Sequence, residues 1–282
     1  RTTNTLGGIT VEAGAGINTL NRGAVPFDSA NGFVYQPGQA SLLVVSNGWT
    51  NVLAPEVNVS TASGSIRIGT CDRQACANPA MLYSNGSITA ATNNQFELAE
   101  AVRFGTRHLA LAVGAVNIGT TETLAAVGRL PAGLTLNQGV LDRLLRGDTQ
   151  FAAPALETLS LTTRDAFNFY GSVALDTLDP QTGRSRLQNL MITTPAIYGL
   201  GDTSDVATIR TANLIWNGTT QAPGAVASGG AGTGHGTLNI EAQRIDFGYG
   251  PYSQPNGLDQ NARLTLGFAN VNLNASDRIT AN

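Results

Sequence analysis

Carboxylate side chains are the groups in this sequence most able to do chemistry, and two pairs of them stand in turn-like stretches. Asp176 and Asp179 lie in LDTLDPQTGR, and Asp202 and Asp205 lie in GDTSD. Loop carboxylates can bind calcium, and paired acids can cleave polysaccharides. Neither stretch has the alternating acidic spacing of a calcium loop, and Asp side chains commonly accept hydrogen bonds from backbone amides in turns. We therefore expect turn chemistry at both pairs, and no catalytic, cofactor or metal site.

The two histidines are the other candidates for catalysis. His108 stands at the start of an apolar stretch, FGTRHLAL, and His235 stands alone among glycines. A hydrolytic triad needs a nucleophile and an acid, often placed by a motif such as G-x-S-x-G, and the sequence has no such motif. Both histidines are expected to be structural.

The two cysteines, Cys71 and Cys76, lie close together in TCDRQACANP. Their spacing is not that of a zinc site, and no further ligand is near. In an exported protein the pair would close a small disulfide loop, contributing about 2 kcal/mol to stability. Two free thiols in a loop are the alternative.

An aromatic segment, FGYGPYSQPNG, gathers Phe247, Tyr249 and Tyr252 with prolines and glycines. An exposed aromatic loop of this kind could stack on sugars or dock on a receptor. The alternative is that the loop folds over its own strand. Trp216, in LIWNGTT, is expected to pack in the core.

Composition favours an extracellular all-β protein. Charged residues make up only 12% of the 282 residues, 33 are Gly, and 42% are hydrophobic. A net charge of −3 gives no electrostatic basis for nucleic-acid binding. No stretch is apolar enough to predict a membrane span, and the start lacks the features of a signal peptide. The chain is expected to be a piece of a longer protein.

A recurring phrase predicts the architecture. An apolar residue is followed by a second one five positions later and by a third two positions beyond that, as in Leu111, Val116 and Ile118. Each phrase indicates two short alternating strands with a bend between them. The phrases recur at uneven intervals, which suits a solenoid of parallel strands with loops of variable length. The residues predicted to point into the core are Leu111, Val116, Ile118, Leu161, Ile192, Ile197, Ile209, Leu214, Ile240, Ile245, Leu266 and Val271.

Two stretches interrupt the repeat. Residues 121–150 are predicted to be a helical excursion, with a short helix capped by Asn137 and ended by Gly147. Residues 217–236 are rich in Gly, Ala and Ser and are predicted to be a flexible loop. The rest of 1–282 is expected to form one continuous segment.

The runs ALETLSLTTRDAFNFYGSVALDT, LQNLMITTPAIYGLGDTSDVATIRTANLIWNG and GTLNIEAQRIDFGYGP, with the closing LGFANVNLNASDRITAN, resemble the internal region of filamentous-haemagglutinin-like exoproteins. These are the large passengers of bacterial two-partner secretion. The resemblance implies a right-handed parallel β-helix, exported through an outer-membrane β-barrel transporter to the cell surface. The family's amino-terminal secretion motifs are not visible in this sequence.

The function expected from these observations is structural and adhesive, not enzymatic. The segment would serve host or matrix adhesion, biofilm cohesion, or as the stalk of a toxin, and its bare strand edges could stack head to tail into a filament. Two alternatives are a β-helix polysaccharide lyase or hydrolase that uses Asp202 and Asp205, and a phage tailspike-like glycan-binding module.

Overall fold

The computed structural model describes most of the chain and shows an all-β protein. The described residues are 2–5, 7–23, 32–36, 41–55, 64–71, 78–218, 234–248 and 263–281. Most of them are in strands, and few are in helices.

The strands, in chain order, are β1 (Thr2–Thr5), β2 (Ile9–Val11), β3 (Gly16–Asn18), β4 (Phe33–Tyr35), β5 (Ser41–Ser46), β6 (Thr50–Val52), β7 (Ile66–Ile68), β8 (Met81–Tyr83), β9 (Ser87–Ala91), β10 (Phe96–Leu98), β11 (Arg103–Gly105), β12 (His108–Gly119), β13 (Gly133–Asn137), β14 (Thr158–Tyr170), β15 (Val173–Asp176), β16 (Asn189–Thr193), β17 (Ala196–Leu200), β18 (Val206–Asn217), β19 (Thr237–Phe247), β20 (Leu264–Leu266) and β21 (Asn270–Ala281).

A single large sheet holds sixteen of these strands, and its main path runs β2-β7-β10-β13-β12-β14-β16-β18-β19-β21. Every pair along this path is parallel. Among the described strands, antiparallel pairing is confined to β5, which pairs with β1 and β9. Two small parallel sheets, β11-β8-β3 and β4-β6, complete the fold.

The parallel register places like residues side by side in rows that cross the sheet. One row joins Leu175, Ile209, Ile240 and Leu273 on four successive strands. A second joins Leu111, Leu161 and Ile192 and continues through Trp216, Phe247 and Ala281. Because parallel strands in register stack identical faces, each row is an apolar ladder, and the ladders meet in one main core.

In two of the phrases the predicted bend coincides with a shift in register inside a long strand. In β12 the pairing with β14 shifts between Val113 and Ala115, and in β19 the pairing with β21 shifts between Ala242 and Arg244. A Cβ on Gly114 would lie only 2.9 Å from the backbone oxygen of Ala132. Glycine therefore occupies the first of these shifts because another backbone approaches closely.

Of the twelve residues predicted to point into the core, eleven are buried. Ten belong to the main core. Leu266 is also buried, but it packs with Tyr198 and Ala196 in a cluster separate from the main core. Val271 is exposed because no described strand follows β21.

Two helices lie in the stretch predicted to leave the sheet: α1 (Thr121–Ala126) and α2 (Gln138–Arg146). In α2 the Oδ1 of Asn137 accepts the N–H of Val140 at 2.9 Å, and Gly147 ends the helix with a φ of 63°. Its apolar side packs into the main core through Val140, Leu141, Leu144 and Leu145. The segment is not one continuous excursion, because β13 returns to the sheet between the helices.

The strand β13 is out of chain order in the sheet. It lies between β10 and β12, so that Leu134 pairs with Phe96 on one side and with Val116 on the other. The first half of β12 instead pairs directly with β9. One strand, β13, is therefore inserted between β10 and the second half of β12, whereas no strand separates β9 from the first half of β12.

We expect Asn137→Ala to lower the free energy of unfolding by about 1 kcal/mol, because it removes the side-chain acceptor at the start of α2. Asn137→Ser keeps an acceptor there and should restore most of the loss. Urea unfolding of the two variants checks this. Equal stabilities for the two variants would contradict a capping role for Asn137.

Candidate functional site

The first acidic turn is held together by its own hydrogen bonds. The Oδ1 of Asp179 accepts the N–H groups of Gln181 and Thr182 at 2.9 and 3.1 Å, and its Oδ2 accepts from Arg186 at 2.7 Å. The hydrogen bond from Arg186, with those from the backbone, lowers the pKa of Asp179 to about 2. Asp176 accepts the N–H of Leu178 at 2.8 Å. These carboxylates are engaged in turn and ion-pair contacts.

The second acidic turn has the same character. The Oδ2 of Asp205 accepts the backbone N–H of Asp202 at 2.6 Å, and its Oδ1 accepts the hydroxyl of Ser172 at 2.8 Å. The bond from the Asp202 backbone, with that from Ser172, lowers the pKa of Asp205. A carboxyl group with a lowered pKa is a poor proton donor at neutral pH. The geometry therefore favours the turn role expected for Asp205, whereas Asp202 takes part in this turn through its backbone N–H.

A row of charged side chains crosses the outer face of the sheet beside the first turn. Arg210 lies between Asp176 and Glu241 in register, with its Nη1 3.3 Å from Asp176 Oδ2 and its Nε 2.8 Å from Glu241 Oε2. The contact with Glu241 is the largest cause of the raised pKa of Arg210. Partly exposed pairs of this kind contribute little stability each, but they keep opposite charges adjacent along the row.

The histidines occupy opposite environments. His108 opens β12, is fully buried, and stacks on the ring of Trp49 with centroids 5.3 Å apart. Burial lowers its pKa to about 3, so the ring is neutral. His235 is exposed. Neither ring nitrogen of His108 has a hydrogen-bond partner among the described residues, which fits a packing role for this ring.

The predicted aromatic contact segment is described only at its start. Phe247 ends β19 and is partly buried against the main core, with its ring centroid 5.8 Å from that of Trp216. Phe247 is therefore a packing residue. Tyr249 and Tyr252 lie outside the described residues, and their role as a contact surface stays a prediction. Trp216 is buried, as expected.

Two other sequence predictions fall largely outside the described residues. Cys71 is disulfide-bonded, and Cys76 lies outside the described range, so their pairing stays a prediction. Of the predicted flexible loop, residues 219–233 are likewise outside it. Asn217 is not part of a flexible loop, because it ends β18 and is buried.

Two exposed aromatics that the sequence analysis did not single out stand on the surface. Phe33 and Phe151 are each 60% exposed. Phe33 lies in β4 beside Tyr35, in the small sheet with β6, and that sheet lies over the outer face of β9 and β12. No sequence signal marks Phe33, because β4 is only three residues long and stands apart from the repeat.

The loop that carries Phe151 packs on the buried side chain of Tyr83. Phe151 and the following Ala152 have positive φ angles of 57° and 59°, which are uncommon for residues with side chains. The ring packs edge-on against buried Tyr83, whose hydroxyl donates to Asp148 at 2.8 Å. Arg103 also contacts Asp148, at 3.3 Å. An exposed aromatic on an anchored turn is an arrangement suited to binding a partner.

Within the described ranges, no group of three or more His, Cys, Asp or Glu side chains could hold a metal ion. None of the helices described has the length and apolar character needed to cross a membrane.

Comparison with known proteins returns no match: no family model, curated protein or solved structure is detectably similar to the chain.

Proposed function

We propose that the chain is a right-handed parallel β-helix segment of a secreted bacterial surface adhesin, similar to the filamentous-haemagglutinin-like exoproteins. The observation that carries this proposal is the unbroken apolar row from Leu175 through Ile209 and Ile240 to Leu273. Parallel strands that stack in register, with intervening segments of different lengths, are what a solenoid requires. Right-handed connections are by far the commonest between parallel strands.

The same arrangement supports a structural and binding role. A rigid stack of strands holds the intervening segments at fixed positions, as scaffolds do for binding loops. Phe33 and Phe151 are the aromatic side chains that the described surface presents to solvent. The protein would be exported through an outer-membrane β-barrel transporter and act at the cell surface, in adhesion to host or matrix, in biofilm cohesion, or as a stalk.

The adhesive role predicts saturable binding of the fluorescently labelled chain to cultured epithelial cells. Phe33→Ala combined with Phe151→Ala should weaken this binding at least about fivefold, because exposed aromatics are frequent binding anchors. Val127→Ala removes another exposed apolar side chain and should leave binding unchanged. A second variant, Tyr249→Ala with Tyr252→Ala, tests the aromatic segment in the same assay.

The enzymatic alternative is tested with the same material. Incubation with pectin or capsular polysaccharide should release no new reducing ends or unsaturated sugars. Release that is abolished by Asp202→Asn with Asp205→Asn would establish a polysaccharide lyase or hydrolase instead. Absence of saturable binding to epithelial cells, to matrix proteins and to biofilm polysaccharide would contradict the adhesive role.

A further inference from the structure

The loop that carries Phe151 crosses the outer face of the small sheet β11-β8-β3. Beneath the loop, Gly105 of β11 pairs in register with Tyr83 of β8. A Cβ on Gly105 would lie 2.3 Å from the backbone oxygen of Asp148 and 2.6 Å from the Cβ of Ala153. Glycine therefore lets both ends of the loop rest directly on the sheet, which fixes the residues between them.

The ring of Phe151 stands alone on this part of the described surface. It is 60% exposed, whereas β3, β8 and β11 expose no large apolar side chain. A protein interface buries a cluster of apolar side chains at its core, and a lone ring does not provide one. A sugar ring presents one flat face of C–H groups, which a single aromatic ring can cover. The isolation of Phe151 therefore favours a carbohydrate over a protein partner.

The acceptor groups at the base of the loop are already used. The Oδ2 of Asp148 accepts the hydroxyl of Tyr83 at 2.8 Å and lies 3.3 Å from the Nε of Arg103. Its Oδ1 accepts the backbone N–H of Gln150 at 2.9 Å. The Oε1 of Gln150 accepts from the Nη1 of Arg103 at 3.0 Å. These contacts hold the side chains of Arg103 and Gln150 in place.

The unused groups on the same surface are donors. Asn18 of β3 lies in register with the tyrosine beneath the loop, and its Oδ1 accepts the N–H of Leu20 at 2.9 Å. Among the described residues, nothing accepts a hydrogen bond from the Nδ2 of Asn18, the Nη2 of Arg103 or the Nε2 of Gln150. A carboxylate accepts hydrogen bonds and donates none, so it is the ligand group that matches three free donors. We use the name Phe151 surface for four side chains, which are those of Phe151, Arg103, Gln150 and Asn18.

We propose that the Phe151 surface binds an acidic glycan. A uronic acid ring stacks on Phe151, its carboxylate accepts hydrogen bonds from Arg103 and Gln150, and Asn18 donates to an adjoining sugar. A hydrogen bond to a charged acceptor is about twice as strong as one between neutral groups, so a carboxylate is favoured over a hydroxyl. This inference rests on the adhesive function proposed above and supplies the chemical class of its ligand.

The Phe151 surface is ordered before a ligand binds. The backbone holds Phe151 and Ala152 at positive φ angles, and Arg103 is held by both Asp148 and Gln150. Binding therefore requires little further ordering of these groups, which lowers its entropic cost.

Isothermal titration calorimetry with two probes, trigalacturonate and trimannuronate, tests the proposal. We expect saturable binding of at least one of them. Its methyl ester, which keeps the sugar rings and removes the negative charges, should bind at least about tenfold more weakly. Phe151→Ala should weaken binding of the acid at least about tenfold. Phe33→Ala removes an equally exposed ring from β4 and should leave that binding unchanged.

Gln150→Glu isolates the contribution of the donors. The variant keeps an oxygen that accepts from Arg103, so the contacts of the loop remain, but it replaces the free amide donor with a second carboxylate oxygen. Uronate binding should fall at least about tenfold, with an unchanged circular dichroism spectrum. Gln181→Glu adds the same charge at an exposed residue of another turn and should bind like the parent.

Three results would each overturn the assignment of an acidic glycan. They are absence of binding to both uronates, equal binding of the acid and its methyl ester, and binding unaffected by Phe151→Ala or by Gln150→Glu. The adhesive function is measured separately, by attachment to epithelial cells. If Phe151→Ala reduced that attachment while neither uronate bound, the glycan assignment would fail and the adhesive function would stand.

Discussion

Ile240→Asp should lower the free energy of unfolding by at least about 4 kcal/mol, and unfold the protein under mild conditions. Ile240 is fully buried in β19, between Ile209 and Leu273 in the core row. The substitution removes a large apolar side chain and leaves a carboxyl group without a hydrogen-bond partner in the core. Urea unfolding measures the loss.

Val206→Asp is the matched control for that substitution. It places the same carboxyl group in the adjacent strand β18, at a residue that is 38% exposed. The expected cost there is within about 0.5 kcal/mol. Because an aspartate in the core resists ionisation, the deficit of Ile240→Asp should also shrink at acid pH relative to the control. Equal stability of the two variants at neutral pH would show that Ile240 does not face the core.

Acidification should destabilise the protein through His108, and this effect should exceed that of any surface group. The ring is buried, its pKa is lowered from 6.5 to about 3 by burial, and neither ring nitrogen has a hydrogen-bond partner among the described residues. Above pH 6.5 the ring is neutral in both the folded and the unfolded chain. Below that pH the unfolded chain binds a proton that the folded chain cannot. The stability lost by pH 3 is on the order of 5 kcal/mol.

His108→Phe isolates this contribution. A phenyl ring keeps the stack on Trp49 and removes the titrating nitrogens, so the variant should lose less stability than the parent between pH 6.5 and pH 4. The comparison uses the slope of stability against pH, so a constant packing offset cancels. His235→Phe changes the exposed histidine and should retain the slope of the parent. Parallel curves for His108→Phe and the parent would contradict the assignment.

Much of the fold could be predicted from the apolar phrases, because the spacing of the apolar residues in the sequence matches the spacing of the core-facing positions along the strands. Leu111 and Val116, or Ile240 and Ile245, are separated by a bend of fixed length, and this spacing is visible in the sequence. Val271 has the same pattern but is exposed. Its burial depends on whether another strand pairs with β21, which a local pattern does not encode.

Other parts of the fold had no such signal. The position of β13 between β10 and β12 depends on contacts between Leu134, Phe96 and Val116, which are far apart in sequence. The buried stack of His108 on Trp49 likewise joins two distant segments. Pairing of this kind is decided by tertiary packing, and propensity or spacing within a short window cannot specify it.

For the candidate site, the acidic turns were predictable because each is local. Asp179 and Asp205 bond to amides within three residues of themselves. The exposure of Phe151 was not predictable, since it depends on Tyr83 and Asp148 beneath the loop. Hydrogen bonds between residues close in sequence can be predicted from the sequence. The exposure of an apolar side chain cannot, because it depends on which distant residues pack around it in the fold.

The order of strands around β13 constrains how the chain can fold. A stack whose strands follow chain order can grow from one end, each strand adding to the last as it emerges. Here the second half of β12 cannot rest directly on β10, because β13 occupies that place and is synthesised later. The final pairing of Val116 with Leu134 can therefore form only after β13 has been synthesised. A chain released only as far as Gly119 would lack Leu134, which is fully buried between Phe96 and Val116, and we therefore expect β10, β12 and β13 to reach their final packing together.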